Sequence, residues 1–243
     1  NVGLLHPLEV AQAAEAAYRR GEVPLASAEG FIRQVIGWRE YVWGVYWLWM
    51  PEYAAMNRLD AHRPVPPAFT GAARTDMACV ANAVRHLHDH GYTHHIERLM
   101  VFGNLALTAG VNPWELSEWM RVTFVDGAEW VMLPNVIGMA LHADGGRLAS
   151  KPYAASGAYI DRMSDYCGQC RYDVKKRVGE DACPYNALYW DFLARHEGKL
   201  GDNQRLRMPY ATWKKQSAQS RNETRAQAKT FLQSLDTAGE SGY

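Results

Sequence analysis

Apolar residues recur at three-to-four spacing through Phe31, Val35, Trp38, Val42 and Val45, inside the stretch ASAEGFIRQVIGWREYVWGVYWLWM. That spacing lines one face of a helix, and it restricts the chain to helical architectures. Alternating runs of the kind a half-buried strand needs are nearly absent. Further helices carry their own boundary marks. HPLEVAQAAEAAYRRG opens on Pro7 and closes on Gly21. TDMACVANAVRHLHDHG is expected to start on a Thr75–Asp76 cap and to end on Gly91. THHIERLMVFGNLALTAG ends on Gly110, NPWELSEWMRVTF places Pro113 in its first turn, and Pro64–Pro67 reads as a loop. A single polar, amphipathic helix is expected from Tyr210 to about Leu235. The prediction is an all-α fold of about ten helices, with one domain over residues 1–235 and a flexible tail at 236–243.

The 243 residues are 48% hydrophobic, a globular composition. Lys plus Arg and Asp plus Glu each number 26, which excludes a diffuse polycation. Any nucleic-acid contact must then come from a local basic patch. The most apolar run, Val42–Met50, falls far short of the roughly 18 residues a spanning helix needs, so no membrane partner is expected. Asn1–Val10 lacks the basic start and apolar block of a signal peptide. The chain begins with Asn and reads as the continuation of something longer, a fragment or processed product. Four cysteines without an export signal point to a reducing compartment, the cytoplasm, where metal binding is favoured over disulfides.

Those cysteines are Cys79, Cys167, Cys170 and Cys183. The two-residue gap lets Cys167 and Cys170 bind one centre, and the Cys183–Pro184 step is of the kind that closes bacterial ferredoxin sites. Spacing alone leaves a 4Fe–4S cluster, a zinc site and unrelated buried thiols open. Arg171, Lys175, Lys176 and Arg177 form the clearest basic patch, readable as a phosphate contact or as a solvated loop. On residue chemistry alone, His94 and His95 read as surface or capping histidines and Trp119 as core.

Four segments together resemble one family: EGFIRQVIGWREYVWGVYW (29–47), GYTHHIERLMVFGNLAL (91–107), PNVIGMA (134–140) and KPYAASGAYIDRMSDYCGQCRYD (151–173). The family is the iron–sulfur branch of bacterial photolyases and cryptochromes, the prokaryotic (6-4) photolyase-like proteins. The resemblance implies a helical FAD-binding domain in which Cys79, Cys167, Cys170 and Cys183 ligate a 4Fe–4S cluster. It also implies that an N-terminal α/β antenna domain, holding a lumazine-type chromophore, has no counterpart here. The implied activity is light-driven repair of (6-4) photoproducts in UV-damaged DNA by a monomer at the bacterial nucleoid, with electrons from reduced FAD. A cryptochrome-like photoreceptor of the same branch is the alternative, and a primase-like iron–sulfur nucleic-acid module the third.

Residue roles come from the same resemblance. His95 matches the proton donor beside the lesion and His94 stands next to it. Leu99 replaces a second histidine found in eukaryotic relatives, so a two-histidine mechanism does not carry over. Arg98 matches an arginine bordering the flavin and Asp126 its aspartate partner, whereas Ala128 replaces a further carboxylate. Met132 falls opposite the flavin N5. Asn135, Met139 and Tyr153 match lesion-pocket positions, with Tyr153 placed among the catalytic residues. Trp38 and Arg39 match a pocket wall and a backbone-contacting arginine and are placed with the cofactor-binding set. Trp119 matches a tryptophan that re-reduces the flavin, with Trp114 and Trp130 as extensions of that route. Arg171 and Lys175 are the expected DNA contacts.

Overall fold

The computed structural model describes residues 2–237. Helix α1 (Pro7–Arg19) carries Pro7 in its first turn, where a missing N–H removes no helical bond. A long helical run comes next: α2 (Leu25–Arg33), a π-helical turn (Gln34–Arg39) and α3 (Glu40–Trp49). After α4 (Pro67–Thr70) and α5 (Ala78–His90), the chain turns at Gly91 into α6 (His95–Glu97). A second π turn (Arg98–Gly103) joins α6 to α7 (Asn104–Ala109), which stops at Gly110. Then come α8 (Pro113–Thr123) and α9 (Glu129–Leu133), the latter continued by a third π turn (Pro134–Ala140). The chain ends with α10 (Gly157–Met163), α11 (Pro184–Arg195), α12 (Glu197–Leu200), α13 (Arg207–Lys215) and α14 (Ala218–Thr237). The fold is all-α. Among the described residues there is no strand, and two isolated bridges, Arg63 with Val111 and Asp173 with Ala182, pin loops. No helix among the described residues is long and apolar enough to cross a membrane.

Every residue of α7 is buried, which makes it the axis of the core. Its polar atoms are collected by neighbours. Asn104 exchanges two hydrogen bonds with the backbone of Ala155, at 2.9 and 3.0 Å. Thr108 O accepts from Arg195, and the Tyr185 hydroxyl of α11 donates to Val101 O at 2.9 Å. Helices α11 and α14 pack along their lengths, and Asp191 lies buried between Arg195 at 2.7 Å and Arg225 at 3.3 Å. Trp190 stacks on Trp213, with ring centroids 5.7 Å apart.

Two expected boundaries move. The helix read over Tyr210–Leu235 is two helices, α13 and α14, because Gln216 is extended and the Ser217 hydroxyl accepts from Ser220 N at 3.1 Å as a fresh start. The Thr75–Asp76 cap does not form: α5 starts from Met77 without a side-chain cap, and Asp76 pairs with Arg171 instead. The tail expected from 236 begins inside α14, and residues 238–243 lie outside the described residues.

His196, at the end of α11, is 9% exposed, and burial followed by Arg195 and Lys199 pushes its pKa down to about 4. The unfolded chain binds that proton near about pH 6.5, so the unfolded state gains protons first. Stability from a neutral His196 is complete above about pH 6.5 and is lost as pH falls toward 4, by up to about 3 kcal/mol. Urea midpoints followed by circular dichroism should fall across that window in the parent chain and fall less in His196→Gln.

Candidate functional site

The loop after α8 folds against the turn before α6. Gly127 permits it: a Cβ there would lie 2.2 Å from Arg121 O and 2.8 Å from Phe124 O. Val125 N donates to Gly91 O at 2.8 Å. These contacts bring Asp126 to Arg98, whose Nη1 stands 2.9 Å from Asp126 Oδ1. Arg98 Nε donates to Thr93 O at 2.9 Å, and the guanidinium lies 4.2 Å over Phe124 and 4.7 Å over Tyr92. The Arg98–Asp126 contact is an ion pair by distance but is not aligned as a hydrogen bond. Arg98 Nη2, Asp126 Oδ1 and Thr93 Oγ1 are consequently all buried without a hydrogen-bond partner. Asp126 Oδ1 keeps Arg98 Nη1 as its ion-pair partner, whereas an orphan such as Arg98 Nη2 or Thr93 Oγ1 costs about 1–3 kcal/mol, and together they mark a spot shaped for a polar ligand. The residues present therefore fit a flavin edge.

The same turn carries both histidines. His94 is the N-cap of α6, and its Nδ1 accepts from Ile96 N at 3.3 Å. Glu97 completes a capping box, its Oε2 accepting from His94 N at 3.1 Å. The two imidazoles lie 4.2 Å apart between centroids. His95 is an exposed residue whose ring is partly desolvated beside His94. That partial burial, then His94 and Arg98, holds its pKa below the ordinary histidine value. Trp119 is caged by Phe102, Phe69 and Phe124 at 5.3, 5.4 and 5.9 Å. Phe124 also carries Arg98 on its face, so one ring separates Trp119 from the unsatisfied atoms.

Other expected residues fall into separate groups. Arg39 is paired with Glu40 and lies over Trp130 and Trp43 at 5.1 and 5.8 Å, while Trp38 packs on Tyr41. Trp130 thereby belongs to a cluster with Trp43 and Trp47, whereas Trp114 is exposed. Met132 is buried in α9. Asn135 and Met139 share the half-exposed stripe of the third π turn, and Asn135 Nδ2 donates to Val131 O at 2.8 Å. Tyr153 is half-buried in the segment that Asn104 anchors. No hydrogen bond among the described residues joins Asn135, Met139 or Tyr153 to His95. The basic patch is largely neutralised: Arg171 pairs with Asp76, Lys176 with Asp181, and Arg177 donates to Gln216. Lys175 is exposed, and among the described residues its side chain has no acidic partner.

The four cysteines converge. Cys79 stands in the first turn of α5, Cys167 and Cys170 belong to a tight 3₁₀ turn, and Cys183 precedes Pro184 at the start of α11. All four line one narrow cavity walled by Met77, Ile160, Tyr166, Tyr172, Val174 and Tyr185. Gly157 leaves room for it, since a Cβ there would lie 2.7 Å from Cys183 Sγ. Asn186 clamps the loop, accepting from Gly157 N and donating to Val174 O and Lys176 O. Burial, then Cys183 and Cys170, pushes the Cys79 thiol up to about 12; burial pushes Cys183 up to about 12 and Cys167 up to about 11. Only a cationic centre would let such buried sulfurs ionise together. Among the described residues no three His, Cys, Asp or Glu side chains form a shell for a single metal ion. Four sulfurs line one shared cavity, a donor set suited to a thiolate-bound metal centre.

Thr93, Glu97, Phe124 and Tyr166 take part in these arrangements without having been singled out from sequence. For Glu97 a signal existed, because His94-x-x-Glu97 has the spacing of a capping box.

No protein-family model matches the chain. It is 53% identical to a (6-4) photolyase of Agrobacterium fabrum over 236 residues, which cover 97% of this chain and 46% of that protein. It is 29% identical over 101 residues to an uncharacterised protein of Acanthamoeba polyphaga mimivirus, covering 42% of this chain and 75% of that protein. The chain thus spans about half the length of the photolyase it matches. With an all-helical fold and an identity sustained across nearly all of its residues, the chain belongs to the bacterial (6-4) photolyase and cryptochrome family.

Proposed function

We propose that the full-length protein uses light to repair (6-4) pyrimidine–pyrimidone photoproducts in UV-damaged DNA, with residues 1–235 as its helical cofactor-binding part. The observation that carries this reading is the set of unsatisfied atoms on Thr93, Arg98 and Asp126, one turn from His95. It stands within a chain that is 53% identical to a (6-4) photolyase. Arg98 and Asp126 would border FAD there, and the reduced, light-excited cofactor would supply the electron needed for lesion reversal. Arg98 and Asp126 hold and orient the flavin edge, with Phe124 and Tyr92 excluding water from the guanidinium. A flipped-out lesion meets His95, which holds a proton on its imidazole and delivers it to the photoproduct. Asn135, Met139, Tyr153 and the Trp38 wall shape that pocket, and Arg39 and Lys175 reach toward the DNA backbone. Arg171 is engaged by Asp76 and contributes only if that pair opens on DNA. Trp119 supplies an oxidisable indole at the pocket edge. Cys79, Cys167, Cys170 and Cys183 hold a 4Fe–4S cluster as a staple between α5 and α11. The protein works as a cytoplasmic monomer at the nucleoid.

Met132 favours a second reading, a blue-light photoreceptor. A buried thioether opposite N5 accepts hydrogen bonds weakly, a setting that suits signalling by flavin redox state. Illumination of the full-length protein with a (6-4)-containing oligonucleotide separates the two, since a photoreceptor restores no bases.

Two outcomes are expected. Repair should speed up as pH falls from about 8 through about 6.5 and level off below the lowered pKa of His95, because only the imidazolium donates. In His95→Asn the rate should drop by roughly 10²-fold or more and lose that slope; an unchanged rate removes His95 from its role. Gly157→Ala, which crowds Cys183, should lower iron and acid-labile sulfide per chain together. Zinc without sulfide in the anaerobically purified parent would sink the cluster assignment.

A further inference from the structure

Glu97 makes more bonds than a helix cap needs. Its Oε2 serves the cap by accepting from His94 N at 3.1 Å. Its Oε1 has no part in capping, yet accepts from the Tyr166 hydroxyl at 2.6 Å and meets His86 Nδ1 at 3.1 Å. The carboxylate is only 14% exposed, so a charge has been drawn inward and satisfied from three elements. The phenol bond is short and charge-assisted, the stronger class of hydrogen bond. Tyr166 directly precedes Cys167 and walls the cysteine cavity. His86 lies two turns along α5 from Cys79, on the same helical face. One carboxylate is therefore bonded to the segments that carry three of the four cysteines and to the turn that carries His94 and His95.

We propose that Glu97 is the positioning residue for His95 and that, through Tyr166, it ties the setting of the His94–His95 turn to the state of the cysteine site. This rests on the reading of His95 as proton donor and of the cysteines as cluster ligands. When the cluster holds Cys167 in place, the Tyr166 hydroxyl fixes Oε1, Oε2 stays aligned on His94 N, and the His95 ring keeps its place beside His94. When Cys167 is released, Tyr166 moves, the carboxylate turns, and the cap of α6 loosens. His95 then becomes more solvated.

The test is NMR of the full-length holoprotein labelled in its histidine rings, with the His95 signal assigned by its loss in His95→Asn. Tyr166→Phe removes a single hydroxyl and keeps the ring in the cavity wall. It should move the His95 signal and raise its titration midpoint by roughly half a unit toward the ordinary value, with iron and sulfide as in the parent. Glu97→Gln should move the same signal in the same direction, without touching the cavity wall. Stripping the cluster with a chelator should shift His95 in the parent and add little in Tyr166→Phe. An unmoved His95 midpoint in both variants overturns the proposal, as does an equal shift on stripping in parent and Tyr166→Phe. A purely structural staple would change melting temperature and leave the His95 midpoint where it was. These signals are read without light or lesion, so a chain that repairs nothing would defeat the proposed function and leave this coupling standing.

Discussion

The burial of α7 governs the rest of the molecule. A helix with no solvent-facing side must have its polar groups met by neighbours, and neighbours meet those of α7 and of the π turn before it. Ala155 meets Asn104 and so fixes the segment leading from Tyr153 into α10. Tyr185 of α11 meets Val101 O, and its helix begins at Cys183. Arg195 meets Thr108 O and is itself held by Asp191. The exposed beginning of this same helical run is the His94–His95 turn. The His94–His95 turn therefore projects from the most deeply buried part of the fold, which suits the role proposed for it, since a proton donor needs a fixed geometry.

The three π turns show a second regularity. The first two interrupt a longer helix and the third ends one, and each carries proposed site residues: Trp38 and Arg39 in the first, Arg98 in the second, Asn135 and Met139 in the third. A π turn accommodates one residue more than an α turn and rotates the succeeding helical turn, so it re-aims side chains without breaking the helix. The second and third turns pack closely, with Gly103 backbone against Ala140.

Much of this was legible in the sequence. The apolar spacing of Phe31 to Val45, the stops at Gly91 and Gly110, and Pro113 in a first turn all correspond to observed elements, because periodicity and punctuation are local. The convergence of Cys79 with the three distant cysteines came only from resemblance, since spacing alone allowed several chemistries. The π turns left no trace, because a single extra residue per turn hardly disturbs a three-to-four pattern. The break at Ser217 was readable as a cap but was hidden in a continuous polar run. The neutralisation of Arg171 and Lys176 was invisible because Asp76 lies far off in the chain and the Lys176–Asp181 pairing depends on the loop closure between Asp173 and Ala182.

The unsatisfied atoms on Thr93, Arg98 and Asp126 reach beyond chemistry into the life of the molecule. A fold that leaves buried polar groups waiting is at its most stable only when its ligand is bound, and the gain grows with the logarithm of ligand supply. Cells remove polypeptides in proportion to how often they open. On the function proposed above, the level of such a chain follows the supply of the flavin that completes this site, so scarcity of the cofactor thins the protein before it idles it.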